Sequence, residues 1–143
     1  MIYEFCAENV TLLEKAMQAG ARRIELCDNL AVGGTTPSYG VTKAAVELAA
    51  NYDTTIMTMI RPRGGDFVYT DLEIAIMLED IRLTAQAGSQ GVVFGALTAD
   101  KKLDKPNLEK LIAASKGMEI VFHMAFDELS DEDQLEAIDW LSQ

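Results

Sequence analysis

The sequence predicts an α/β fold built on a parallel sheet, and three observations carry that reading. Short β-branched or apolar runs recur five times along the 143 residues. They are continuous rather than alternating, as strands covered on both faces are. Amphipathic helical segments separate them, so the order is β-α repeated five times, with right-handed crossovers between parallel strands. Two architectures satisfy this order: an open doubly wound sheet, or part of a (β/α)₈ barrel.

The first strand is expected at 2–7 (IYEFCA) and the second at 22–27 (RRIELC). The third, 54–61 (TTIMTMIR), runs up to Pro62, which holds Arg61 extended. In the segment TDLEIAIMLEDIRLTAQAG that follows, Ile74, Met77, Leu78, Ile81 and Ala85 share one helix face. Thr70 and Glu73 form a capping-box pattern before it, and Gly88 is the expected left-handed stop. The fourth strand is expected at 91–95 (GVVFG) and the fifth at 118–125 (MEIVFHMA), with Pro106 in the first turn of the helix between them. Ser130 and Asp133 open the final helix. QAGARRIEL at 18–26 and QAGSQGVVF at 86–94 share a helix end, a glycine and a strand start, two βα units apart, as repeated barrel units do. The turn after strand 1 is CAEN, without the glycines of a nucleotide-binding sheet. A complete barrel takes eight units and about 250 residues. A barrel here is therefore expected to lack its last part, with residues 1–143 forming a single domain.

At 49% hydrophobic residues the chain can bury one core. No apolar run approaches the roughly 20 residues of a membrane helix, and MIYEFCAENV does not read as a signal peptide. The two cysteines imply no disulfide framework and are expected as reduced thiols in a cytoplasmic protein. A net charge of −11 opposes a phosphate backbone, so nucleic acid is not an expected partner. The acidic stretch DELSDEDQLEAID suits a helix N-terminus facing water. Met57 and Met59, two apart in a strand, read as core.

Polar residues in apolar strands mark a candidate site. Glu4 with Cys6, and Glu25 with Cys27, are spaced by two and so share a strand face. An ion pair with Arg22, Arg23 or Arg61 is the structural explanation of the glutamates; function is the other. The cysteines are expected at the ends of adjacent strands, about 4.8 Å apart, where two thiols suit a soft ion such as Cu(I). With a single histidine, a zinc site lacks its usual further ligands. That histidine, His123, lies at the end of strand 5, four residues before Asp127, as an acid–base group would. In MIRPRGGDF, Gly64 and Gly65 permit positive φ and close backbone approach. Their amides, with Arg63, are candidates to cradle an anion, and Asp66 to orient a guanidinium or cap the turn.

The blocks RIELC, GGTTPS, MIRPRGGDF, MLEDI, GVVFGALTADKKLD and FHMAFD, in this order between Ile2 and Asp127, resemble the signature of the CutC family. The resemblance implies a TIM (β/α)₈-barrel, here about five βα units long, a link to cytosolic copper homeostasis, and homo-oligomers. It implies that Cys6 and Cys27 match the family's proposed copper-binding thiols. Glu4, Glu25, Arg61, Arg63, Asp66, His123 and Asp127 match its polar cluster at the barrel mouth. Met124 stands where the family usually has arginine. Three functional classes follow: a Cu(I)-binding homeostasis protein, an enzyme acting on a small anionic metabolite, or an inactive fragment that assembles with other chains. Arg61 is expected to point into the barrel mouth beside Glu4, Glu25 and His123, with Arg63 at the rim. Strands 1 and 5 are expected as unpaired edges.

Overall fold

The computed structural model describes residues 1–143 and contains the predicted alternation. Strands β1 (Glu4–Glu8), β2 (Arg23–Cys27), β3 (Thr55–Met59), β4 (Gly91–Phe94) and β5 (Glu119–Phe122) form one sheet. They lie in the order β1-β2-β3-β4-β5, and every pair is parallel. Spatial order thus follows chain order throughout. That is the arrangement of a barrel wall, whereas a doubly wound sheet reverses at a switch point. The wall is open, with β1 and β5 as its edges.

Five helices connect and flank the strands: α1 (Leu13–Gln18), α2 (Tyr39–Ala49), α3 (Asp71–Ala87), α4 (Lys105–Ala114) and α5 (Asp131–Leu141). Local chemistry sets their starts. Ser38, Thr70, Asp104 and Ser130 each accept an amide hydrogen from the first turn of α2, α3, α4 and α5. The Thr70–Glu73 capping box forms as expected, and Pro106 occupies the first turn of α4. Gly20 and Gly88, the two glycines of the repeat, both take positive φ, +109° and +92°.

Helices cover one face of the sheet only. Ile24, Leu26 and Ile56 pack with Leu13, Met17 and Ala45, while Val92 and Phe94 pack with Ile74, Met77, Ile81, Leu108 and Leu111. On α3 the buried face is Ile74, Met77, Ile81 and Thr84; Ala85, expected there, is exposed. Thr84 continues the three-and-four spacing from Ile81 and Met77, so it takes the inner place.

The opposite face is the barrel interior. Cys27, Met57, Met59 and Val93 form a small cluster there, which places both methionines in the core. Met57 lies across Gly91, where any side chain would collide with its sulfur. Strands β3 and β4 are covered on both faces, as expected. The edge strands are not: β1 exposes Glu4, Cys6 and Glu8, and β5 exposes Glu119 and Ile120. No helix is long and apolar enough to cross a membrane.

Candidate functional site

The interior face carries two groups of polar side chains. The first joins β1 and β2. Cys6 lies opposite Glu25 in the ladder, and Cys27 follows two residues further along the same face. One Sγ from each cysteine and one Glu25 carboxylate oxygen lie within 4.8 Å of one another. The expectation that both cysteines end their strands holds for Cys27 alone, since Cys6 is in the middle of β1. Cys27 is fully buried, Cys6 is exposed, and the Cys27 thiol donates to Glu25 Oε1 at 3.9 Å. Burial, then the neighbouring Cys6 and Glu25, push the Cys27 thiol far above its ordinary value. Burial and Glu25 raise Cys6 in the same sense. Burial and the charge of Glu4 raise Glu25.

Glu4 belongs to a different contact. It pairs across the ladder with Arg23, at the half-exposed edge of the sheet. Neither Glu4 nor Glu25 forms an ion pair with Arg61, so the expected carboxylate partnership is absent.

The second group lies beyond the ends of β3, β4 and β5. Arg61 is only 3% exposed. Its Nη1 donates to the carbonyls of Val32 (2.6 Å) and Gly34 (3.0 Å), and its Nη2 to that of Gly65 (2.8 Å). The guanidinium stacks over Phe67, 4.9 Å from the ring centroid. Carbonyl dipoles therefore replace the carboxylates foreseen from sequence, leaving the positive charge formally uncompensated. His123 sits 5.1 Å from Phe67, ring centroid to ring centroid. Its Nδ1 accepts the Ala125 amide at 3.2 Å, which puts the hydrogen of the neutral ring on Nε2. Burial, then the Arg61 charge, lower its pKa from 6.5 to about 4. The ring is thus held neutral at physiological pH, with its hydrogen on Nε2. Asp127, the foreseen partner, is exposed on the 3₁₀ turn Met124–Glu128.

The loop after Arg61 is shaped by what it must approach. Gly65 has φ +88°, and a Cβ on Gly64 would lie 2.9 Å from that of Val32. Gly65 turns its carbonyl to Arg61 and Gly64 its carbonyl to Arg63. Arg63, at the rim as expected, clasps Glu73 of the α3 capping box at 2.6 Å and Asp66 at 3.1 Å. Asp66 also accepts the Val68 amide, which caps the turn.

Sequence reasoning missed four contributors: Phe67, Tyr69, Gly95 and the Val32–Gly34 carbonyls. Gly95 had the clearest signal, a glycine ending a buried strand. A Cβ there would lie 2.7 Å from His123 Cε1, so only glycine leaves room for the ring. The pair Gly33–Gly34 was visible as well: a Cβ on Gly34 would lie 3.0 Å from Cys27 Sγ.

Comparison with known proteins is consistent along the whole chain. A family model described as the CutC family matches residues 1–143. A CutC family protein of Enterococcus faecalis is 53% identical over 143 residues, covering 100% of this chain and 68% of the relative. One from Bacteroides thetaiotaomicron is 44% identical over 132 residues, covering 92% of this chain and 52% of the relative. The solved structure of CutC from Streptococcus agalactiae, whose description proposes a role in copper homeostasis, superposes with a TM-score of 0.95 at 49% identity. That match covers 99% of this chain and 67% of the other.

Proposed function

Because the chain belongs to the CutC family, and because its two cysteines meet on the barrel interior, we propose that it binds Cu(I) in a copper-homeostasis role. The observation that carries this reading is the Cys6–Glu25–Cys27 group, with its three donor atoms within 4.8 Å. Two thiolate sulfurs are the soft donors that select Cu(I) over harder ions. Glu25 supports them as an oxygen ligand or as acceptor of a displaced proton, since the Cys27 thiol already donates to it. Partial desolvation and the neighbouring carboxylates at Cys6, and full burial at Cys27, favour the protonated thiols, so loading is an exchange of metal for protons and strengthens as pH rises. Exposed Cys6 gives an incoming ion a first contact, and buried Cys27 the second. Such a half-open pair suits passing a metal on, whereas a closed cage suits storage.

A competition titration of the reduced protein against a coloured Cu(I) chelator tests the proposal. Cys6→Ser and Cys27→Ser should each weaken Cu(I) by at least about tenfold, because a hydroxyl is a poor soft-ion ligand. Glu25→Gln should weaken it less. A double serine variant that holds Cu(I) as tightly as the parent overturns the assignment.

A further inference from the structure

Three buried side-chain atoms have no hydrogen-bond partner: Arg61 Nε, Tyr69 Oη and His123 Nε2. Their residues are 3%, 8% and 8% exposed, so bulk solvent does not serve as their partner. Unpaired buried donors are costly and call for a specific cause. All three belong to one cluster. Phe67 touches both the Arg61 guanidinium and the His123 ring. The Arg61 charge lowers the pKa of His123, and the charges of Arg61 and Arg63, with the close approach of the Arg61 side chain outside hydrogen-bond geometry, partly offset the burial that lifts Tyr69 to about 12. Each orphan is a donor: an arginine N–H, a phenol O–H, and the Nε2–H that the Ala125 contact assigns to His123.

We propose that Arg61, Tyr69 and His123 together bind a small oxyanion, a carboxylate or a phosphate group, at the end of strands β3 to β5. A permanent cation flanked by two neutral donors, with no carboxylate bonded to it, is complementary to negative oxygen and to little else. A cation ligand is repelled, and a neutral apolar one leaves the three donors unpaired. None of the cavities in the molecule is lined by these residues, so the ligand is small and something must move to admit it. Met124, which follows His123 in the chain and lies beside the Arg61 guanidinium, is the side chain we assign to that movement. Its thioether and Arg61 Nη1 both crowd the open side of Gly33, and the residue is 37% exposed. An unbranched side chain swings aside at small cost. This site shares no donor with the Cys6–Glu25–Cys27 group and goes beyond the metal reading.

His123 is the only histidine, so its imidazole signals in a ¹⁵N-labelled sample need no assignment. The full chain is titrated with inorganic phosphate and, separately, with oxalate, against sodium chloride at matched ionic strength. The expected result is a saturable shift of the Nε2–H resonance with at least one of the two anions and none with chloride. Saturation by phosphate alone identifies a phosphate source, by oxalate alone a carboxylate source. Tyr69→Phe and Arg61→Lys should each weaken the response by about tenfold, a loss of one good charge-assisted contact. The Cys6→Ser/Cys27→Ser protein should keep it, which separates this site from the copper reading. No saturable shift with either anion overturns the proposal. So does a response unchanged in Tyr69→Phe, a variant that keeps the ring and its packing even if Arg61→Lys fails to fold.

Discussion

His123 carries a proton economy that can be measured without any ligand. Unfolded, it takes up a proton near 6.5; folded, it does so only near 4. Between those values the unfolded chain binds more protons, so stability is full above about pH 6.5, falls as pH drops, and is lost by about pH 4. The gap amounts to up to about 3 kcal/mol. Urea unfolding at about pH 7 and about pH 4.5 should show it, and His123→Asn should lose the part of the difference that His123 supplies. Glu25 and Asp80, raised by burial, shift stability in the opposite sense, and Glu73, Glu79, Asp100 and Asp133, held low by their partners, in the same sense; all do so in both proteins and cancel in the comparison. An equal pH response in the variant would mean that the ring is not buried neutral. Gly95 gives a second prediction at this scale. Its φ is not positive, so Gly95→Ala is a purely steric change that drives a methyl into the His123 ring. Overpacking of this kind costs about 1–3 kcal/mol. The His123 resonances should move with the loss of stability. Part of this was legible in sequence: a lone histidine past a strand end marks a site. Its tautomer was not, because that depends on the Ala125 amide, a contact made by the turn that follows.

Between residue and fold stands the junction of the β3 loop with α3. Thr70 and Glu73 close the capping box, and Arg63 reaches back to the same Glu73 carboxylate. Hydrogen bonds from Arg63 and from the Thr70 amide hold Glu73 below the usual carboxylate range. The helix start and the loop that carries Arg61 are therefore one structural unit. Thr70→Ala should cost about 1 kcal/mol of stability, as loss of an N-cap does. Arg63→Ala should cost less, because a partly exposed pair is screened by solvent. It should nonetheless loosen the loop, and amide exchange at 64–68 would report that directly. Exchange that stays slow there would mean the Gly65 carbonyl bond to Arg61 holds the loop alone. The helix caps were readable because four consecutive residues hold the whole motif. The loop's partners were not, since Arg63 and Glu73 are ten residues apart and nothing in their spacing joins them. The same reason explains Arg61. Its inward direction was expected from sequence, but its partners are backbone carbonyls, which every residue has and no sequence pattern marks.

For the molecule as a whole, the unsettled groups are on the sheet's two edges. β1 and β5 each pair on one side only, so each presents a row of free amides and carbonyls. Apolar side chains flank both, with Ile2 69%, Tyr3 65% and Ile120 39% exposed. Five strands do not supply the stagger that closes a barrel, so the wall cannot remove its own edges. Strand order was legible from the βα alternation, and so were the two edges, because five units fall short of the eight that close a barrel. A second copy of the chain offers the matching surface, since parallel edges present complementary rows of donors and acceptors. Charge works against this pairing, with 23 acidic against 12 basic residues on each copy. Self-association is therefore expected to be concentration-dependent and to strengthen as salt screens the repulsion, over a Debye length of about 8 Å at physiological ionic strength. Sedimentation velocity across a range of protein and salt concentrations checks both trends. Replacing Ile120 with lysine should weaken association by placing a charge on the β5 edge while leaving the interior face untouched. A monodisperse monomer at every concentration and salt would show instead that the edges are covered from within the chain.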